Sequence, residues 1–254
     1  MKKVILAISF LSACLTGTLA MAAEAPPPPA IIETWTCNYL PRQDMGDLMR
    51  ARDYYQRQAR RAEVDIGPAY LWSLAKGDLP FDLVWLAPHE SMGDWADAME
   101  AEASAKEVVR ANARFDDVVD CTARLGTVRQ VFAREEAQDN VGGTAFVSAL
   151  ACTLGEGVGP TDVADLHGHI GEVFGGLGDA APNQSYSMSP ITGSSDGPDM
   201  ILFSVFDDPN GYADFISGLF SNESNASLGR HLDAVADCNI ALWNSTQVLE
   251  TPEG

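Results

Sequence analysis

The sequence predicts an α+β protein in which one β-α-β-β-α-β unit occurs twice, the two copies packed sheet to sheet. Three observations carry that expectation. Residues 82–132 lie over 199–249 without a gap, and both stretches pass through the phrase Asp-x-Val-x-Asp-Cys. Strand and helix signals follow the same order in both halves. The third strand of each half is apolar almost throughout rather than alternating, so both of its faces are expected to be buried.

The ungapped match pairs Asp82 with Asp199, Trp95 with Tyr212 and Ala96-Asp97 with Ala213-Asp214. Farther on, Asp116, Val118, Asp120 and Cys121 meet Asp233, Val235, Asp237 and Cys238, and Gln130-Val131 meets Gln247-Val248. The upstream parts match more loosely: Cys37 falls on Cys152, Asp47-Leu48 on Asp165-Leu166, Tyr70 on Tyr186 and Gly77 on Gly193. The repeats therefore cover 34–133 and 143–250, joined by a polar linker over 134–142 and followed by a tail, 251–254.

Each repeat opens with a strand that carries a cysteine. An amphipathic helix follows, after Asp44 as N-cap in the first copy and after Pro160-Thr161 in the second. Next come two strands joined by a Gly-containing turn: Ala69–Leu74 with Phe81–Ala87, and Ser185–Ile191 with Met200–Phe206. A long helical region and a last strand complete the unit. This order is the ferredoxin-like split unit, in which the first and last strands are antiparallel neighbours. Helices cover only one face of such a sheet. The other is expected to meet the sheet of the second copy, side chains interdigitating, so that the chain forms an intramolecular barrel.

Four cysteines in the expected mature chain allow three pairings. In the ferredoxin-like unit the end of strand one lies beside the start of strand four. Cys37 and Cys152 sit late in strand one, and Cys121 and Cys238 open strand four, which predicts Cys37–Cys121 and Cys152–Cys238.

The N-terminus supports an oxidising destination. Lys2-Lys3, the apolar stretch to Leu19 and Ala20-Met21-Ala22 read as a bacterial secretory signal peptide over 1–22, sending the protein to the periplasm or outside. Leu11-Ser12-Ala13-Cys14 also has the form of a lipobox, in which Cys14 would carry a lipid anchor. A Pro-rich leader over 23–33 is a stiff spacer. Beyond the signal no apolar run is long enough to span a bilayer. The formal charge of −20 sets the chain against phosphate backbones, so nucleic acid is not an expected partner.

The pattern resembles the dimeric α+β barrel superfamily, which includes antibiotic-biosynthesis-monooxygenase-like and NIPSNAP-like domains. The resemblance spans nearly all of the expected mature chain and rests on element order and apolar phasing. It implies two ferredoxin-like units packed sheet to sheet. Members include cofactor-independent oxygenases, haem-binding enzymes and proteins of unknown role, and their catalytic residues differ between branches.

No motif singles out a reaction. His167-Gly168-His169 is an H-x-H pair, but its members point about 200° apart on a helix and cannot share a metal there. The glycines of LHGHIGEVFGGLGD lack the preceding strand a dinucleotide loop needs. Asp207–Gly211, DDPNG, reads as a turn rather than a calcium loop. The residues expected to face a ligand, if one binds, are polar or aromatic groups on apolar strands: Trp85, His89, Arg124, Gln130, Trp243 and Gln247. The leading expectation is an exported, non-catalytic module that binds a small molecule or a protein, with no cofactor. The alternative is a small-molecule oxygenase or a haem-associated enzyme, with His89 or His231 as the haem ligand.

Overall fold

The computed structural model describes residues 29–135, 143–192, 197–221 and 223–249. The expected signal peptide, Cys14, most of the Pro-rich leader, most of the linker and the tail lie outside these residues.

The first half runs β1 (Ala30–Tyr39), α1 (Met45–Arg61), β2 (Ala69–Lys76), β3 (Leu83–His89), α2 (Met92–Ser104), α3 (Lys106–Asn112) and β4 (Val119–Ala133). The second runs β5 (Thr144–Leu154), α4 (Pro160–Gly175), β6 (Gln184–Pro190), β7 (Met200–Phe206), α5 (Pro209–Phe220), α6 (Glu223–Val235) and β8 (Ala236–Leu249). Local chemistry sets the helix starts. Asp44 accepts from the Asp47 amide and Asp47 answers to the Asp44 amide, a reciprocal cap on α1. Ser91 caps α2, and Asp208 caps α5 just before Pro209.

The long helical region of the first half is two helices. Ala105 takes an extended conformation and breaks it. The break turns Val108 and Ala111 fully inward, whereas α2 buries no residue completely.

Eight strands close one antiparallel barrel in the order β1-β3-β2-β8-β5-β7-β6-β4. Each half contributes four neighbouring strands, β4-β1-β3-β2 and β8-β5-β7-β6, and the edges join where β2 pairs with β8 and β4 with β6. Full closure leaves no unpaired sheet edge. The seams repeat each other: Gln130 stands opposite Tyr186 on one and Gln247 opposite Tyr70 on the other.

Alternating residues divide the apolar material into an inner core and two outer layers. Inside, Trp72, Phe203 and Trp243 meet Ile32, Val84 and Leu86; Phe81 stacks on Trp243 at 5.9 Å. The outer layer of the first half sets Leu48, Ala51, Tyr55 and Ala59 of α1 on Leu71 and Leu83. That of the second sets Leu166, Ile170, Val173 and Phe174 of α4 on Met200, Leu202 and Phe206.

Cys37 faces Cys121 and Cys152 faces Cys238 in the strand register, and both pairs are disulfide-bonded with Cα atoms 4.1 Å apart. Each bond pins the first strand of a half to its last. Two such bonds suggest a protein that resides outside the cytoplasm. Among the described residues no helix is long and apolar enough to cross a membrane.

Candidate functional site

The outer faces of the two halves differ. Where β2 carries Ala69 and Leu71 under α1, the corresponding strand β6 carries Ser185 and Ser187, followed by Ser189. Ser148 and Ser204 stand on the same outer face of β5 and β7. α1 lies on Leu71 and Leu83; α4 lies on Met200, Leu202 and Phe206 with the hydroxyls of Ser148, Ser185 and Ser204 among them.

Space opens beside α4. A cleft of about 360 Å³ opens between α4 and the β4–β6 seam. Thr127 and Arg129 of β4, Ser187 and Ser189 of β6, and His167 of α4 supply its polar wall. Leu154, Val158, Val163 and Ala164 supply the apolar one. Strand register places Thr127 opposite Ser189 and Arg129 opposite Ser187. Both halves of the molecule therefore build this site. Next to it, deeper under α4, a cavity of about 60 Å³ lies among Ser148, Ser185, Ser204, Leu166, Ile170 and Phe174. There Ser185 and Ser204 satisfy each other, Oγ to Oγ at 2.7 Å.

Two polar atoms of the cleft are buried without a partner. Ser187 is 4% exposed and its Oγ makes no hydrogen bond; the Nε2 of His167 is likewise buried and unbonded. Leaving such groups unpaired costs roughly 1–3 kcal/mol each, so they are unusual enough to need a cause. Burial pushes the His167 pKa below its ordinary value, and the neighbouring Arg129 cation pushes it the same way. The imidazole is therefore neutral near pH 7, with a free nitrogen.

The residues expected from sequence to face a ligand do not meet in one place. Trp85 lies under the helices of the first half, edge-on to Phe115 at 5.7 Å. His89 ends β3 beside α2; its Nε2 is buried without a partner, and burial lowers its pKa, opposed by the charge of Asp94. Arg124 stands across from Thr34 with its guanidinium against Gly197, its Nε buried and unbonded. Gln130 donates from Nε2 to the Tyr186 hydroxyl at 3.5 Å, and Gln247 donates to the Leu249 carbonyl at 3.2 Å. Trp243 is 2% exposed inside the barrel, its indole N–H unpaired.

The H-x-H pair diverges as helix geometry requires: His167 faces the cleft, while His169 faces α6, bonded to Ser227 at 2.8 Å with its ring 5.4 Å from that of His231. Sequence reasoning missed Thr127, Arg129, Ser187 and Ser189. The signal that could have found them is the alternation Ser185-x-Ser187-x-Ser189 on a strand whose counterpart carries Ala69 and Leu71 before Ser73.

Among the described residues no three His, Cys, Asp or Glu side chains are grouped to hold a metal ion. His167 lines the wider cleft, while Leu166, Ile170 and Phe174 pack on the sheet around the smaller cavity. His231 stands over His169 on the helices, away from the cleft.

No protein-family model and no curated protein matches the chain. Solved structures do. A candidate monooxygenase of Fusobacterium nucleatum subsp. nucleatum superposes with a TM-score of 0.57 at 12% identity, covering 89% of this chain and 96% of that one. A candidate monooxygenase of Lactobacillus acidophilus gives 0.54 at 9% identity, with 88% and 97% covered. An anthrone oxidase-like protein gives 0.52 at 11% identity, with 87% and 94% covered. These likenesses, with the closed eight-stranded barrel, define the class: a ferredoxin-like α+β barrel. Here a single chain supplies both of its sheets.

Proposed function

We propose that this is an exported small-molecule-binding protein whose ligand sits in the cleft between α4 and the β4–β6 seam. One observation carries the reading: Ser187 Oγ and His167 Nε2 are buried in the polar wall of the cleft without partners. A ligand that supplies those partners recovers the desolvation each atom suffers in the free protein. The cleft falls in the lower part of the usual range for small-molecule sites, about 300–1,000 Å³. A fragment screen followed by backbone and imidazole NMR shifts of the oxidised mature chain tests the reading. Hits that move His167 and Ser187 together support it; hits that gather at the barrel mouth around Arg124, leaving the cleft unmoved, refute it.

A second reading is favoured by the state of His167. A neutral imidazole with an unbonded ring nitrogen in a cleft is what a general base requires. Candidate monooxygenases and an anthrone oxidase-like protein share the fold. On this reading His167 removes a proton from an acidic C–H or O–H of the bound substrate. Oxygen uptake with an anthrone as trial substrate, lost in His167→Gln, supports catalysis. Binding without uptake supports the binding role.

A further inference from the structure

We infer that the cleft selects a small organic anion, with a carboxylate or similar headgroup at its polar end and a short apolar body along α4. This rests on the binding reading above and adds the charge of the ligand to it. The Arg129 guanidinium stands at the mouth, close enough to His167 for its field to act on the imidazole. Thr127 and Ser189 lie across the seam from each other beside it.

The first turn of α4 forms the adjoining edge. Gly159, its N-cap, has no side chain to satisfy the first-turn N–H groups, in contrast to Asp44, Ser91 and Asp208 on α1, α2 and α5. Unpaired amides at the start of a 16-residue helix favour negative charge. Asp162 is the acidic group nearest that end; it turns back to the Gly159 amide at 2.8 Å and is not part of the cleft wall.

The independent pointer to a ligand is Ser187, almost wholly buried at the cleft floor with its hydroxyl unbonded. Leu154, Val158, Val163 and Ala164 leave the body of the ligand an apolar bed. The wider surface argues against a trivial explanation. A chain of net charge −20 repels anions in general, so anion selectivity in this cleft reports a local arrangement.

The test uses three probes of one size and different charge, benzoate, benzamide and benzamidine, titrated into the oxidised mature chain at fixed ionic strength and followed by NMR. The expected result is shifts at His167 and Ser187, with benzoate bound about tenfold or more tighter than benzamide, since charge-assisted hydrogen bonds are roughly twice as strong as neutral ones. Benzamidine is weaker still. Arg129→Gln, at an exposed position, brings benzoate to the affinity of benzamide, and Ser187→Ala weakens both by about three- to tenfold. Equal affinity for benzoate and benzamide at the same residues overturns the anion inference and leaves the binding reading standing. If no probe shifts His167 or Ser187, the cleft itself is not a ligand site and both fail.

Discussion

At Ser187, stability and function pull in different directions. Its hydroxyl is buried without a partner, so replacing it with a methyl group removes an unmet desolvation cost. Ser187→Ala is expected to leave the unliganded protein as stable as before or more stable by about 1 kcal/mol in urea denaturation, while weakening ligand binding. A clear loss of stability would show the hydroxyl to be a structural bond donor. His167 and His89 both have pKa values lowered by burial, so the folded protein binds fewer protons than the unfolded one as pH falls through the ordinary value of 6.5. Stability is expected to drop over that fall, and His167→Gln to flatten part of the drop in denaturation curves across pH. Glu33 and Glu102 act in the opposite sense. Burial raises both above 4.5, against a Trp95 hydrogen bond at Glu33 and a Tyr55 hydrogen bond at Glu102, with the Glu33 charge raising Glu102 further. They favour folding at acid pH, and that contribution is lost as pH rises from about 4.5 through their folded values. Glu102→Gln should therefore stabilise the protein at neutral pH. At this scale the sequence was least readable. His167 was visible as a histidine, but which of two near-opposite helix faces lay on the sheet depended on how α4 seats.

At the scale of elements, the sequence carried more. Strand and helix order, the Asp44 cap and the disulfide partners follow from local signals and from the antiparallel neighbourhood of first and last strands. The break at Ala105 was not visible, because AMEAEASAKEVV contains no glycine or proline and tertiary packing of Val108 and Ala111 decides it. Each disulfide joins residues 84 or 86 positions apart. On the chain-entropy argument its removal costs up to about 4–5 kcal/mol. The Cys37→Ser/Cys121→Ser and Cys152→Ser/Cys238→Ser pairs should each lower the unfolding free energy by a similar amount, because the two loops are nearly equal. A negligible loss from either pair in urea titrations would show that its strands hold together without the bond. Gly126 marks a second element-level constraint: a Cβ there would stand 3.0 Å from the Ser189 carbonyl across the β4–β6 seam. Gly126→Val should spread that seam, reducing thermal stability and ligand binding together.

At the scale of the molecule, apolar third strands told that both sheet faces are covered, but not how the edges meet. The structure answers by hydrogen-bonding β4 to β6 and β2 to β8, and the matched Gln–Tyr pairs on the two seams were recognisable only once the register was known. Closure also explains the site. The cleft needs Thr127 and Arg129 from the first half beneath α4 of the second, so it exists only while the β4–β6 seam is closed. Amide hydrogen exchange on the oxidised mature chain tests this most directly. If one barrel forms, amides of β4 and β6 that face each other exchange as slowly as those of β1 and β5 in the middle of each sheet. Rapid exchange along β4 and β6, with β1 and β5 still protected, would mean two separate sheets with open edges and no shared cleft.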